Sequence, residues 1–196
     1  MSTSRVSKGR YHHGNLAPVL VAEALGLVEA EGVGALSLRE VAKRAAVSPT
    51  AVYRHFADKN ALLMEIAAEG FAALNAAFAT VPASAPDERL RCLGEAYVAF
   101  ALAHPDLYRL MFTAARPSLP PTPRLLEQSG RSLATLTEAV AACRPPDGDT
   151  AAVSASTVAA WSLVHGFVLL VLEGPLNHLP PNAMPDVSAL LARFTP

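Results

Sequence analysis

The chain has 196 residues, of which 52% are hydrophobic, 17% are charged and 6% are aromatic. This length and apolar content exclude a disordered chain and suffice for one domain, or two small ones, with a buried core. The 38 alanines and the scarcity of aromatic and β-branched runs favour helices, because alanine loses no side-chain entropy in a helix. We therefore predict an all-α fold.

The charges are unevenly distributed along the chain, although the formal net charge is only −1. Residues 1–60 carry eight Lys and Arg against five acids, whereas residues 61–196 carry eight Arg against twelve acids. A basic first third followed by an acidic remainder indicates that a polyanion would meet the front of the chain. A solvated face with an excess of one charge would look similar, so the distribution alone does not decide.

Capping residues and proline breaks divide the chain into helices. Residues 1–14 are basic and polar without an apolar period, and we predict a flexible arm there. The capping signals include Asn15, the box Ser37-Leu38-Arg39-Glu40, Ser48-Pro49 and Asp58. Together with apolar periodicity they predict about nine helices, at about 16–31, 38–45, 49–56, 59–80, 87–103, 105–113, 124–143, 150–172 and 187–194.

The second and third predicted helices are joined by a turn of about three residues, Ala46–Ser48, which matches a helix-turn-helix. The small residues Ala45 and Ala46 would let the two helices approach closely. The apolar residues expected to face each other across the turn are Val41, Ala42, Val52 and Phe56. This packing would leave the other side of the third helix exposed, in a form that fits the major groove of DNA. Helical hairpins without a DNA function share the same spacing.

The residues themselves resemble a known family. The stretch LSLREVAKRAAVSPTAVYRHFADKNALL, from Leu36 to Leu63, is similar to the DNA-binding domain of TetR-type transcriptional regulators, with the YRHF-x-x-K signature ending at Lys59. The similarity covers about residues 15–65. Further along, HPDLYRLMF and WSLVHGFVLLVLEG resemble the subgroup whose ligand domain carries a Trp…His-Gly pattern, and the RYHHG arm is also seen ahead of such domains.

The resemblance implies a three-helix DNA-binding domain over 15–58 and a larger helical ligand-binding and dimerisation domain over 59–196. The residues that it places at DNA are Arg39, Ser48, Pro49, Thr50, Ala51, Tyr53, Arg54, His55 and Lys59. Tyr53, His55 and Lys59 would contact phosphates, and the others nearest base edges are Thr50, Ala51 and Arg54. Tyr53 and His55 could instead be packing residues, and Arg54 a solvated charge. The basic arm, with Arg5, Lys8 and Arg10, could enter the minor groove or be only a tail.

The resemblance also implies partners. Such regulators bind palindromic double-stranded DNA as twofold homodimers, and the interface would be a four-helix bundle of about 150–173 and 187–194 from each copy. A small, mostly apolar effector would release a repressor from its operator. The candidate residues for its pocket are Tyr97, Phe100, Tyr108, Met111, Phe112, Trp161 and His165. An aromatic stripe of this kind is also typical of an ordinary core.

Other functional classes are disfavoured. The sequence has no Gly-rich phosphate loop, no G-x-S-x-G, no HExxH and no clustered metal ligands, so we predict no enzymatic activity, no cofactor and no metal. His12 and His13 could bind a metal adventitiously in the arm. A helical architectural or protein-interaction domain without a ligand is the alternative to a regulator.

Compartment and membrane association follow from the same residues. The spacing of Cys92 and Cys143 suits neither a disulfide framework nor zinc, so both are expected to be buried apolar residues. The first 15 residues contain no apolar stretch and predict a cytoplasmic protein. The run 150–172 has no Asp, Glu, Lys or Arg and could cross a bilayer, but its hydroxyl side chains and acidic flanks favour a fully buried interface helix.

Overall fold

The computed structural model describes residues 16–82, 84–113, 120–145, 149–180 and 186–193. Within these ranges the regular elements are helical and no strand occurs, which confirms the predicted all-α fold. The helices are α1 (Leu16–Glu31), α2 (Leu38–Arg44), α3 (Pro49–Tyr53), α4 (Lys59–Ala79), α5 (Pro86–Ala103), α6 (Pro105–Thr113), α7 (Pro123–Ala142), α8 (Thr150–Leu172) and α9 (Val187–Leu191). Two 3₁₀ turns accompany them, Val33–Ala35 and Pro175–His178.

The chain divides into two compact units, Met1–Leu62 and Leu63–Pro196. The division falls inside α4, so this helix starts in the first unit and continues into the second. The boundary predicted from sequence lies slightly earlier, between Asp58 and Lys59. The predicted arm over 1–14 and the proposed cap Asn15 lie outside the described residues.

The start of α2 follows from its first residues. Ser37 Oγ accepts a hydrogen bond from the Glu40 backbone N–H at 3.1 Å, which satisfies one of the donors that a helix leaves unpaired at its N-terminus. Only half of the predicted capping box forms among the described residues. The Glu40 carboxylate accepts from Lys43 Nζ at 3.3 Å rather than reaching back to the Ser37 N–H.

The third helix is shorter than predicted. Ser48 Oγ caps α3 as expected by accepting from the Ala51 N–H at 3.3 Å, but the helix ends at Tyr53 rather than near Phe56. The His55 N–H bonds to the Val52 carbonyl, three residues back, at 2.9 Å, which tightens the last turn and ends the helix. The chain is then free to begin α4, where Asp58 accepts from the backbone as a cap.

The turn between α2 and α3 depends on one residue in a left-handed conformation. Ala46 has a φ of 53°, and the Val47 N–H returns to the Ala42 carbonyl at 2.9 Å. The Ala46 N–H bonds to the Lys43 carbonyl at 3.1 Å, so the two bonds form a Schellman motif. Ala45 is buried as predicted, but Ala46 is exposed, so its small size serves the turn and not the contact between helices.

The four residues expected to face each other across this turn form a core. Val41, Ala42, Val52 and Phe56 are all buried. Arg44, at the end of α2, pairs with two acids of α1, Glu23 at 3.6 Å and Glu31 at 3.5 Å. These exposed ion pairs add little free energy each, and the apolar contacts hold the three helices together.

In the second unit, polar side chains link α4 to α7. Arg124 donates to Glu65 at 3.4 Å and to Glu69 at 2.8 Å. Two turns further along α4, the Asn75 amide donates to the Gln128 carbonyl at 3.0 Å and accepts from Ser132 Oγ at 2.7 Å. Helix α5 packs against α6, α7, α8 and α9.

One expectation about burial is wrong. Cys92 and Cys143 are free thiols, but both are only half-buried. Burial, together with a hydrogen bond to Asp87, raises the pKa of the Cys143 thiol to about 11, so it stays protonated at neutral pH. Helix α8 leaves an apolar face exposed within the single chain, so its burial at a subunit interface stays a prediction.

Two described helices, α4 and α8, are long and apolar enough to cross a membrane by length and composition alone. Most of the apolar window of α4, 61%, is buried within the chain, whereas only 22% of that of α8 is. Core helices of ordinary globular proteins pass the same test.

The strained turn generates a prediction about stability. A left-handed alanine costs roughly 1–2 kcal/mol, whereas glycine takes this conformation freely but loses roughly 0.5–1 kcal/mol more chain entropy on folding. We expect Ala46→Gly to raise the free energy of unfolding of the first unit by about 0.5–1 kcal/mol, and Ala46→Val to lower it by more than about 1 kcal/mol. Urea unfolding measures both, and a loss of stability in Ala46→Gly would contradict the turn geometry.

Candidate DNA-binding surface and ligand cavity

The residues predicted to contact DNA lie on α2, on α3 and in the turn that follows. Most of their side chains are exposed, namely Arg39, Ser48, Pro49, Thr50, Tyr53, Arg54 and His55, whereas Ala51 and Lys59 are half-buried. Tyr53 is 53% exposed, which is unusual for an aromatic side chain with a packing role. This exposure favours a contact with an external partner over the packing alternative.

Lys59 has a structural partner that the sequence did not indicate. Its ammonium group donates to the Val33 carbonyl at 3.3 Å and so ties the start of α4 to the 3₁₀ turn after α1. An ammonium group has three donors, so this bond leaves two for a phosphate. Nearby, Lys43 is already paired with Glu40. Arg39 and Arg54 are two further cations whose side chains are exposed on this surface.

The second unit contains a partly open cavity of about 810 Å³. Its lining comes from α4 to α9 and is mostly apolar: Phe71, Leu74, Phe78, Asp87, Glu88, Leu90, Arg91, Leu93, Gly94, Tyr97, Phe112, Leu126, Ser129, Gly130, Ser132, Leu133, Leu136, Ala160, Trp161, Leu163, Val164, Leu191 and Ala192. A cavity of this size and character is typical of a site for a small organic molecule.

Three of the seven residues predicted to bind a ligand line this cavity: Tyr97, Phe112 and Trp161. Phe112 is the centre of an aromatic cluster, with ring centroids 5.6 Å from Phe71, 6.1 Å from Trp161 and 4.6 Å from His165.

The other four predicted ligand residues are not among the lining residues. Phe100 packs on His104, with ring centroids 5.2 Å apart. Met111 lies against α4, where a Cβ on Gly70 would be only 2.7 Å from its Cγ and Sδ atoms. Tyr108 and His165 stand behind the wall and support it through hydrogen bonds.

A chain of polar atoms runs from the cavity wall into the bundle. Trp161 Nε1 donates to Tyr97 Oη at 3.3 Å, and Tyr97 Oη lies 3.0 Å from Tyr108 Oη. His165 Nδ1 lies 2.6 Å from Tyr108 Oη and 3.0 Å from Tyr97 Oη. These contacts connect α5, α6 and α8.

Burial keeps the side chains of this hydrogen-bonded series uncharged. Desolvation lowers the pKa of His165 below its ordinary value and raises that of Tyr97. It also raises the pKa of Tyr108, with a further increase from the neighbouring Tyr97. At neutral pH the imidazole and both phenols are therefore neutral, and the cluster is held by hydrogen bonds rather than by charge.

Two family models match the chain. One, described as bacterial regulatory proteins of the tetR family, matches residues 20–66. The other, described as the tetracyclin repressor-like C-terminal domain, matches residues 90–194, more than half of the chain. The chain belongs to the TetR family. It is therefore a DNA-binding transcriptional regulator, as the resemblance predicted.

Solved structures support the same fold for this TetR-family regulator. A protein of unknown function from Rhodococcus sp. RHA1 is 33% identical, with 94% of each chain covered and a TM-score of 0.74. A possible TetR family transcriptional regulator from Streptomyces coelicolor A3(2) is 23% identical, with 92% of this chain and 89% of that chain covered and a TM-score of 0.63. A TetR protein from Acinetobacter baumannii AYE, in complex with minocycline, is 22% identical, with 89% and 93% covered and a TM-score of 0.62. No match was found among curated proteins.

Most of the residues that line the cavity of this TetR-family member were not predicted from the sequence. Helix α4 contributes Phe71, Leu74 and Phe78, which are spaced as one helical face, and α7 contributes a similar stripe that includes Leu126 and Leu133. These stripes were a detectable signal, but the same periodicity marks any helix that packs on a core. The charged residues Asp87, Glu88 and Arg91 also line the cavity, and nothing in the sequence distinguished them from surface charges.

The half-buried His165 predicts how stability depends on pH. Because the pKa of His165 is lower in the folded state than in the unfolded chain, where it is about 6.5, acidification favours unfolding. The contribution of neutral His165 is complete above about pH 6.5 and is lost as the pH falls through the folded pKa. We expect His165→Gln to show a smaller loss of unfolding free energy between pH 7.5 and pH 5.5 than the unmodified protein, measured by urea unfolding.

The control for this measurement is His178→Gln, because His178 is exposed in the second 3₁₀ turn. Its pH dependence should match that of the unmodified protein. An equal flattening in both variants would show that burial of His165 is not the cause.

Proposed function

We propose that the protein is a repressor that occupies a palindromic operator as a homodimer and leaves it when a small, mostly apolar molecule fills the cavity. The observation that carries this proposal is the combination, in one TetR-family chain, of an exposed helix-turn-helix surface and a cavity of about 810 Å³. The cavity would serve binding rather than catalysis, and the protein would act in the cytoplasm, where the operator is.

The DNA contacts would come from the exposed residues of the first unit. Tyr53, His55 and Lys59 would contact phosphates, and Arg39 could reach the same backbone. Arg54 is the residue best suited to read a base edge, since guanidinium groups bond bidentately to guanine. Ser48, Pro49, Thr50 and Ala51 would lie close to the groove.

The dimer would form through the exposed face of α8. Val158, which is 58% exposed, and Leu169 and Leu170 leave apolar surface uncovered on this helix. Small residues such as Ala155 and Ser162 lie exposed on the same helix, which allows another helix to approach closely. Helix α9 would complete a four-helix bundle with the partner's copies. Phe194, at the end of the predicted interface, lies outside the described residues.

Helix α4 would connect the binding of the ligand in the cavity to the release of DNA. It is one continuous helix that starts in the first unit, at Lys59, and carries the cavity residues Phe71, Leu74 and Phe78 in the second. A ligand that displaced these side chains would displace the helix, since packed helices move as rigid bodies. Ligand and DNA would then oppose each other because each favours a different position of α4.

The DNA contacts predict two kinds of loss on mutation: loss of affinity for every DNA sequence and loss of preference at one base position. Lys59→Ala should weaken binding to all sequences and lower the slope of log affinity against log salt by about one, because a phosphate contact is lost. Arg54→Ala should instead remove ~1–3 kcal/mol of the binding free energy that discriminates between bases at one position of the operator. Fluorescence anisotropy on DNA tiled from around the protein's own coding region, at low and near-physiological salt, measures both.

The matched control is Arg131→Ala, an exposed arginine on α7 in the second unit. It removes a positive charge and should leave both affinity and salt slope unchanged. Unfolding free energies of the Lys59 variant must also be compared, since it loses the bond to Val33. If a folded Lys59→Ala protein binds DNA at low salt as well as the unmodified protein, the phosphate role is wrong. Folded Tyr53 and Arg54 variants that kept sequence-specific binding would favour the architectural alternative.

The interface predicts a change of oligomeric state. Val158→Asp would place a charge on the apolar face of α8 in each copy, and facing like charges cost several kcal/mol. We expect the dimer Kd to rise by about 100-fold, seen by analytical ultracentrifugation. Leu102→Asp, on an exposed position of α5, is the matched control and should remain dimeric. A dimeric Val158→Asp protein would exclude this face as the interface.

A further inference from the structure

Tyr97 is a polar residue in a mostly apolar cavity wall, and the number of protons in its hydrogen-bonded cluster restricts its role. The cluster contains three certain donors, namely the Trp161 N–H and the hydroxyls of Tyr97 and Tyr108. The role of His165 Nδ1 depends on its tautomer. A buried hydroxyl proton without an acceptor is costly, so the arrangement that satisfies every proton is favoured.

If Nδ1 carried a proton, the cluster would contain one donor too many. The two hydroxyls cannot donate to each other at the same time, so one of their protons would have no acceptor within the cluster. If Nδ1 is instead the acceptor, the three protons are all satisfied. Desolvation favours the neutral form of His165, which has one unprotonated ring nitrogen. Because the mostly apolar cavity lining offers the hydroxyl protons little alternative, the proton count favours Nδ1 as that nitrogen.

The distances then fix which group donates to which along the series of hydrogen bonds. The shortest contact, 2.6 Å, joins Tyr108 Oη to Nδ1, and two lone pairs could not lie so close without a proton between them. Tyr108 therefore donates to His165. Tyr97 donates to Tyr108 at 3.0 Å, and Trp161 donates to Tyr97 at 3.3 Å.

This direction leaves the Tyr97 oxygen as an acceptor. A phenolic oxygen has two lone pairs, and Trp161 occupies one of them. The hydroxyl proton is committed to Tyr108, so Tyr97 has no proton to offer a ligand. Tyr97 and Trp161 both line the cavity, so the second lone pair of Tyr97 Oη is the acceptor that this cluster could offer to a bound molecule.

The charged residues of the lining restrict the ligand further. Asp87, Glu88 and Arg91 line the cavity, but the Arg91 guanidinium donates to the Glu95 carboxylate and, at 3.4 Å, to Ser188 Oγ. The remaining charge is therefore negative, and it opposes the entry of a carboxylate.

We propose that the cavity selects an uncharged, apolar molecule that carries a hydroxyl group, and that this hydroxyl donates its proton to Tyr97 Oη. The selectivity rests on the ligand-binding function proposed above and adds the chemical class of the ligand. The supporting groups, Tyr108 and His165, are positioning residues, since they hold the Tyr97 hydroxyl in its acceptor role from behind the wall.

Three eight-carbon probes separate the contributions of donor and charge. These are 1-octanol, its isomer heptyl methyl ether, which has the same atoms but no donor, and octanoate, which is an anion. Trp161 is the only tryptophan in the sequence and lines the cavity, so its fluorescence reports binding of each probe directly. We expect 1-octanol to bind about tenfold more tightly than heptyl methyl ether, and octanoate to bind most weakly.

Two tyrosine variants test the direction of donation along this series of hydrogen bonds. Tyr97→Phe removes the acceptor, so the preference for the alcohol over the ether should fall to about one. Tyr108→Phe makes the same chemical change in the same cluster but leaves Tyr97 Oη 3.0 Å from Nδ1, where it can donate directly to the histidine. Its preference for the alcohol should persist. Helical circular dichroism and urea unfolding establish that each variant is folded before its titration is compared.

The outcomes separate the two proposals. Equal binding of alcohol and ether by the unmodified protein, or a folded Tyr97→Phe protein that keeps the tenfold preference, would overturn the hydroxyl selectivity and leave the ligand-binding function intact. Absence of any fluorescence change with all three probes, up to their solubility limits, would overturn the ligand-binding function itself and the selectivity with it.

Discussion

The need to satisfy the polar protons of one side-chain cluster shapes the second unit. Trp161, Tyr97, Tyr108 and His165 come from three helices, and their polar atoms would be costly in an apolar bundle without one another. Once bonded in series, they bring α5, α6 and α8 to a defined separation. The aromatic rings around Phe112 then pack on this frame and form one wall of the cavity.

A different constraint shapes the DNA-binding unit, where the controlling feature is a tight turn. Ala46 takes a left-handed conformation so that both bonds of the Schellman motif can close the end of α2. Two residues later, the cap Ser48 and then Pro49 begin α3. The turn thus sets the angle at which the exposed side of α3 is presented, and the buried residues Val52 and Phe56 hold it there.

Helix α4 is subject to two demands at once. Its polar residues Glu65, Glu69 and Asn75 bind to α7, while its apolar residues line the cavity. The part-buried ion pairs and hydrogen bonds to α7 fix one side of the helix, while its buried apolar side chains link any change in the cavity to the position of the helix. This combination suits a helix that must respond to a ligand without losing its fold.

The sequence by itself determined the helices and the family, whereas only the tertiary structure decided the cavity. Caps such as Ser37, Ser48 and Asp58 act on backbone groups three residues away, so local sequence suffices to place a helix start. The lining of the cavity spans residues 71 to 192, and a stripe of apolar residues looks the same whether it faces a cavity or a packed core. For that reason Phe100 and Met111 were predicted to bind a ligand and lie elsewhere, while Asp87 and Leu133 were missed. The direction of the hydrogen-bond chain depends on distances between helices, and no sequence pattern encodes them.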